Sequence, residues 1–242
     1  MLNPDRMPDL DERPGPRWRF ELRAPLTLLL IAINVAVFVA QNVVNHAEPG
    51  AVYRNFALSA YGLSHGWAWQ LLTFQFLHLP LESGGIFHLL GNLFIIHVFG
   101  RPVEIALGRA RFLGLYLLGG TTGGLLQIAA GVLAPTQFGL AVAGASAGAF
   151  ALLTAYATLY PKRPLHFFFL PLPMRADVLF SVLVAVTLAG LFLPSGHAAH
   201  CAHLGGMLTG FVLARQTIAR NRAPALNIVS TRGPFGANPT GD

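Results

Sequence analysis

Residues 26–47 and 112–160 contain no Asp, Glu, Lys or Arg. A soluble protein cannot cover its surface with runs of this kind. Only 11% of the 242 residues are charged, against about a quarter in an ordinary soluble domain, while 54% are hydrophobic. The solvent for most of this chain is therefore a bilayer. A single cysteine, Cys201, excludes an internal disulfide framework and a Cys-rich metal site. The net charge of +6 bears less on nucleic acid, which is not expected as a partner, than on how the chain sits in a membrane. No internal repeat is present.

About 20 mostly apolar residues span a bilayer as a helix. Six segments qualify, at about 25–44, 85–107, 112–133, 140–160, 176–194 and 196–215. The expected fold is an all-α polytopic bundle of six transmembrane helices. Residues 45–84, with Trp67 and Trp69, are too aromatic for a solvated loop and form a membrane-associated connection between helices 1 and 2. Pro161, Pro164, Pro171 and Pro173 break the chain before the fifth span. Residues 1–24, opening "MLNPDRMPDLDERPGPRWRF", lack the apolar core of a signal peptide and read as a cytoplasmic tail. Residues 25–215 form the membrane domain, and residues 216–242 a flexible cytoplasmic tail. Fifteen of the sixteen Lys and Arg residues fall on alternate loops, with Arg54 alone on the other side. By the positive-inside rule both termini are cytoplasmic.

Spans two, four and six then begin at the outer face, and each carries polar groups soon after it starts. "HLLGN" puts His88 and Asn92 on one helix face at i and i+4. "GASAG" holds Ser146 among small residues (Gly144, Ala145, Ala147, Gly148), and span six holds His203. At 1.5 Å per residue these groups lie roughly 5–12 Å below the outer boundary. Polar groups in a bilayer are costly and mark function. A serine and a histidine at one depth can form a nucleophile and its base. His88, Asn92 and backbone N–H groups near Ser146 can donate to an oxyanion. Each has a plainer reading: a membrane serine commonly bonds its own helix, and Asn, His and small residues such as Gly206 and Gly210 commonly pack helices together. Four suitable groups on three helices at comparable depth favour chemistry.

These elements, in this order, resemble the rhomboid intramembrane serine proteases over residues 25–215. The resemblance rests on "HLLGN", "GASAG" and "AHLGGMLTG", with "FGRPVEIALG" and "FFFLPLP" as further family features. It implies a Ser146–His203 dyad, with oxyanion stabilisation by His88, Asn92 and the backbone at Ala145 and Ser146. It implies packing of spans four and six through Gly206 and Gly210, and a structural polar cluster at Arg101 and Glu104. It implies no cofactor and no metal, single-pass or polytopic membrane proteins as substrates, and lateral access past span five. The six-helix bacterial form implies the bacterial cytoplasmic membrane. One departure stands out: Ala147 follows the serine where the family has glycine, and its methyl could crowd the oxyanion site.

Three other readings stay open at this point. "GASAG" fits the G-x-S-x-G elbow of soluble hydrolases, with Asp177 as third member, but no strand is expected before Ser146. The chain could be an inactive rhomboid-like protein that binds membrane helices. His197, His200 and His203 could handle metal, although three ligands from one helix converge poorly. His200 is read as packing and His197 as wet. H-E-x-x-H and a central membrane aspartate are both absent, which excludes the zinc and aspartyl classes.

Overall fold

The computed structural model describes residues 24–166, 173–192 and 199–230, with side chains through residue 220. Expectations placed on residues 1–23 and 231–242, on His197 and on most of "FFFLPLP" lie outside the described residues. Six long helices make up most of the fold: α1 (Pro25–Ala47), α2 (Gly85–Leu107), α3 (Arg109–Leu133), α4 (Ser146–Leu159), α5 (Ala176–Gly190) and α6 (His200–Ser230). The first three are long and apolar enough to cross a membrane, whereas α4 and α5 are shorter apolar helices of 14 and 15 residues.

Two boundaries differ from the sequence reading. The expected fourth span begins only at Ser146, because residues 141–142 are a strand. This strand, β2 (Ala141–Val142), pairs antiparallel with β1 (Leu58–Ser59). Gly139 and Gly144, both at positive φ (70° and 144°), turn the backbone on either side of it and prevent a helix there. A strand therefore does precede Ser146, but it is a two-residue antiparallel bridge and not the buried parallel strand of a hydrolase elbow. At the other end, α6 runs on to Ser230 through the first part of the segment read as tail. Its Gln, Ala and Arg residues are good helix formers.

The outward faces of the bundle are apolar, and polar side chains join an otherwise apolar interior. On α1 the buried stripe is Thr27, Leu30, Asn34, Phe38 and Gln41, while Leu29, Val35, Val39 and Val43 face outward. This is the pattern expected where lipid is the solvent. Residues 45–84 fold into short helices at Ala51–Phe56, Ala60–Ser64 and Gln70–Thr73. They dock on α3, where Gln75 Nε2 donates to the Leu117 carbonyl and Thr121 Oγ1, both at 3.2 Å. A second antiparallel pair, β3 (Pro164–Leu165) with β4 (Met174–Arg175), precedes α5.

At the centre stands α4, whose residues from Ala147 to Ala157 are nearly all buried. Small residues let its neighbours approach. A Cβ on Gly206 would collide with the Ala147 carbonyl, and one on Gly210 with the Ala151 carbonyl. On the α3 side, Gly119 faces the Ala151 methyl and Gly123 the Ala147 methyl. Such contacts replace the hydrophobic drive that helices in lipid lack.

The opposite end of the bundle is tied by Glu104 on α2, one turn beyond Arg101. Its buried carboxylate accepts from Leu26 N (3.0 Å), Thr27 N (2.7 Å) and Thr27 Oγ1 (2.8 Å). These are amides of the first turn of α1, which have no partner within their own helix. Glu104→Ala should cost roughly 3 kcal/mol by leaving them buried and unpaired. The apparent Tm in detergent should fall by roughly 5–10 °C; an unchanged melting curve would contradict this role.

Candidate active site

Ser146 is the first residue of α4, and its hydroxyl is engaged by another helix. His203 Nε2 lies 3.0 Å from Ser146 Oγ. The nitrogen is placed to accept the hydroxyl hydrogen when the imidazole is neutral. His203 sits in the first turn of α6, and Gln127 of α3 helps to fix that turn. Gln127 Oε1 accepts from Ala202 N at 3.3 Å, while its Nε2 donates to the Phe138 carbonyl at 2.8 Å. The imidazole stacks on Phe150, with ring centroids 4.4 Å apart and planes at 29°. Phe150 was not singled out from the sequence, although it stands one turn beyond Ser146 on the same face (i+4).

His88 faces the same place from α2. A Cβ on Gly144 would lie 3.1 Å from His88 Cε1, 3.4 Å from His88 Nε2 and 3.7 Å from Ser146 Oγ. The missing side chain at Gly144 thus keeps open the space between the imidazole edge and the hydroxyl. His88 Nδ1 accepts from Leu79 N at 3.3 Å. A neutral imidazole that accepts at Nδ1 carries its proton on Nε2, so a donor faces this space. Asn92 is buried, and its amide donates to the His88 carbonyl at 2.8 Å. Its NH2 group carries a second donor. Ala145 is the buried residue preceding α4, and the first amides of a helix are unpaired within it. The arrangement can hold a serine nucleophile, its base and donors for an oxyanion in one place. A cavity of about 930 Å³ is lined by Tyr53, Arg54, Tyr61, Trp67, Leu79 and Ala143 among others, and Ser146, His203, His88 and Asn92 do not line it.

Asp177 has no part in this site. It is exposed at the start of α5 and pairs with Arg175. His200 packs on Gly190, the last residue of α5, and its ring is edge-on to His203 at 6.1 Å. Among the described residues no group of three His, Cys, Asp or Glu side chains comes together to hold a metal ion.

Residues 65–220, well over half of the chain, match the Rhomboid domain. The chain belongs to the rhomboid family. It is a polytopic helical membrane protein. Presenilin-associated rhomboid-like protein, mitochondrial, of Homo sapiens is 29% identical over 156 residues, covering 62% of this chain and 41% of that protein. Rhomboid-related protein 1 of Caenorhabditis elegans is 33% identical over 176 residues, covering 69% and 43%. Rhomboid protein 1, mitochondrial, of Saccharomyces cerevisiae is 32% identical over 127 residues, covering 51% and 36%. The matched segments thus span about two fifths of these relatives' own length.

These names overturn the assignment to a bacterial cytoplasmic membrane with cytoplasmic ends, since the human and yeast relatives are mitochondrial by name. The physical reason is simple. The bacterial setting rested on likeness to the six-helix bacterial form, but neither the number of spans nor the arginine distribution, which sorts loops between the two sides of a membrane, carries information on which membrane it is.

The rhomboid departure at Ala147 has a structural answer. Its methyl points into the α3 seam, 2.7 Å from where a Cβ on Gly123 would be. The extra carbon on α4 is accommodated by an absent one on α3. Ala147→Gly should therefore leave site chemistry within about twofold and cost about 1–2 kcal/mol of stability, from a lost methyl and a helical glycine. A large gain in serine reactivity would show instead that the methyl blocks the site.

His78, in the connection before α2, is fully buried beside His88, with ring centroids 5.2 Å apart. Burial, with the neighbouring His88 second, lowers its pKa from 6.5 to about 4. The folded state therefore binds fewer protons than the unfolded one between these values. The stabilisation from neutral His78 is present above pH 6.5 and is lost as pH falls towards 4. The fall in apparent Tm across this window should be shallower in His78→Gln; an identical slope would contradict the assignment.

Proposed function

We propose that the chain is an intramembrane serine endopeptidase that cleaves membrane-protein helices near the end of the bundle where α2, α4 and α6 begin. The observation that carries this reading is the 3.0 Å contact between His203 Nε2 and Ser146 Oγ. His203 takes the hydroxyl proton as Ser146 Oγ attacks the peptide carbonyl. Phe150 orients the imidazole by stacking, which answers the lack of an acid partner. The oxyanion is met by His88 Nε2–H, Asn92 and the amides at Ala145 and Ser146. His203 then protonates the leaving amine, and water hydrolyses the acyl-enzyme. No cofactor takes part. A six-span bundle with residues 45–84 seated in the membrane surface belongs to the same proposal, as does access past α5. The relatives' names support a mitochondrial membrane as the setting.

A second reading has a specific observation behind it. The names of the relatives, "rhomboid-like" and "rhomboid-related", state no protease activity. Taken alone they favour a rhomboid-like protein that binds membrane helices without cutting them. Geometry favours the protease.

The two separate in one experiment. The full chain in liposomes is incubated with a panel of model transmembrane substrates, beside Ser146→Ala and His203→Ala. The protease reading expects cleavage by wild type and a loss of at least about 10³-fold in each variant. Capture of a substrate helix without cleavage by wild type supports the binding reading. Activity that survives Ser146→Ala sinks the dyad.

A further inference from the structure

We infer that Gln41, on α1, is a positioning residue for the His88 donor, acting through the peptide that joins His78 to Leu79. The inference rests on the protease reading for its effect on rate, but its geometric content stands apart from that reading.

Gln41 is buried on the inward face of α1. Its amide makes two bonds to one residue's backbone: Nε2 donates to the His78 carbonyl at 2.7 Å, and Oε1 accepts from His78 N at 3.0 Å. A primary amide offers a donor and an acceptor side by side, which a hydrocarbon side chain cannot. The Tyr53 hydroxyl donates to the same carbonyl. That carbonyl and the Leu79 N–H belong to one planar trans peptide and point in opposite directions. Holding the oxygen therefore aims the N–H. The target is His88 Nδ1, at 3.3 Å. Acceptance at Nδ1 places the imidazole proton on Nε2, which faces Ser146 across Gly144. If the peptide turned away, His88 could take the other tautomer and present a lone pair where an oxyanion needs a donor.

Three further contacts hold this loop and the ring it meets. Asn42 Oδ1 accepts from Leu81 N at 3.1 Å, so consecutive α1 residues hold the loop. A Cβ on Gly85 would collide with the Leu79 carbonyl, so the loop lies directly on the start of α2. The His78 ring, edge-on to His88, restricts its rotation.

The test reads the tautomer directly. The full-length protein, labelled with ¹⁵N-histidine, is placed in detergent micelles, and His88 is assigned by its loss in His88→Gln. The ring ¹⁵N shifts of wild type should show Nε2–H. In Gln41→Leu the Nδ1–H form should appear. The kcat for a model transmembrane substrate should fall roughly 10- to 100-fold with KM within about twofold. Gln41→Glu guards against misfolding, because a carboxylic acid reproduces both bonds only while protonated. Its kcat relative to wild type should be highest at low pH and decline as pH rises. A wild-type His88 protonated on Nδ1 overturns the proposal. So does a folded Gln41→Leu with unchanged tautomer, or a pH-independent ratio for Gln41→Glu. Wild type that neither cleaves nor reacts as a serine enzyme counts against the protease reading, and the ring shifts still decide the role of Gln41.

Discussion

Where Gly206 of α6 meets the Ala147 carbonyl of α4, no Cβ fits and the two helices touch backbone to backbone. Lipid gives helices no hydrophobic reason to associate, so contact of this closeness must come from small side chains and dispersion. The same seam continues at Gly210 against Ala151 and, on the other side of α4, at Gly119 and Gly123. A bulkier residue at any of these positions would push α6 or α3 away from α4. Three residues before Gly206 on α6 stands His203, and one residue before Ala147 on α4 stands Ser146. Their 3.0 Å separation follows from this seam.

The two ends of the bundle solve different problems with the same kind of bond. At one end Glu104 satisfies the first amides of α1 and fixes that helix to α2. At the other, Gln41 of α1 holds the loop that meets His88 of α2. Helix α1 is bonded directly to α2 at one end and, through the loop that carries His78 and Leu79, to His88 of α2 at the other. Buried polar groups in a bilayer need partners, and here the partners define geometry as well as satisfy it.

Much of this was legible in the residues, for reasons that can be named. Charge-free runs require a bilayer, and the family motifs in order pointed to the rhomboid family, to which the chain belongs. Ser146 and His203 were picked out by residue type and depth, but their separation is a tertiary fact that no spacing encodes. Residues 141–142 escaped because a two-residue strand has no periodicity. The positive-φ glycines beside it, Gly139 and Gly144, were the available signal. Phe150 could have been found at i+4 from Ser146. Gln41 could not, because its partners are backbone atoms 37 residues away. The compartment was misassigned because the number of spans and the loop charges describe a bundle and its sidedness, not the membrane that holds it.

The proposed chemistry depends on Ser146 as a nucleophile activated by His203. The most direct measurement is tandem mass spectrometry of the folded full-length chain after reaction with a fluorophosphonate. A single adduct is expected on the peptide that carries Ser146, strongly reduced in His203→Ala. No adduct on correctly folded protein, an adduct on another residue, or one indifferent to His203 would contradict it.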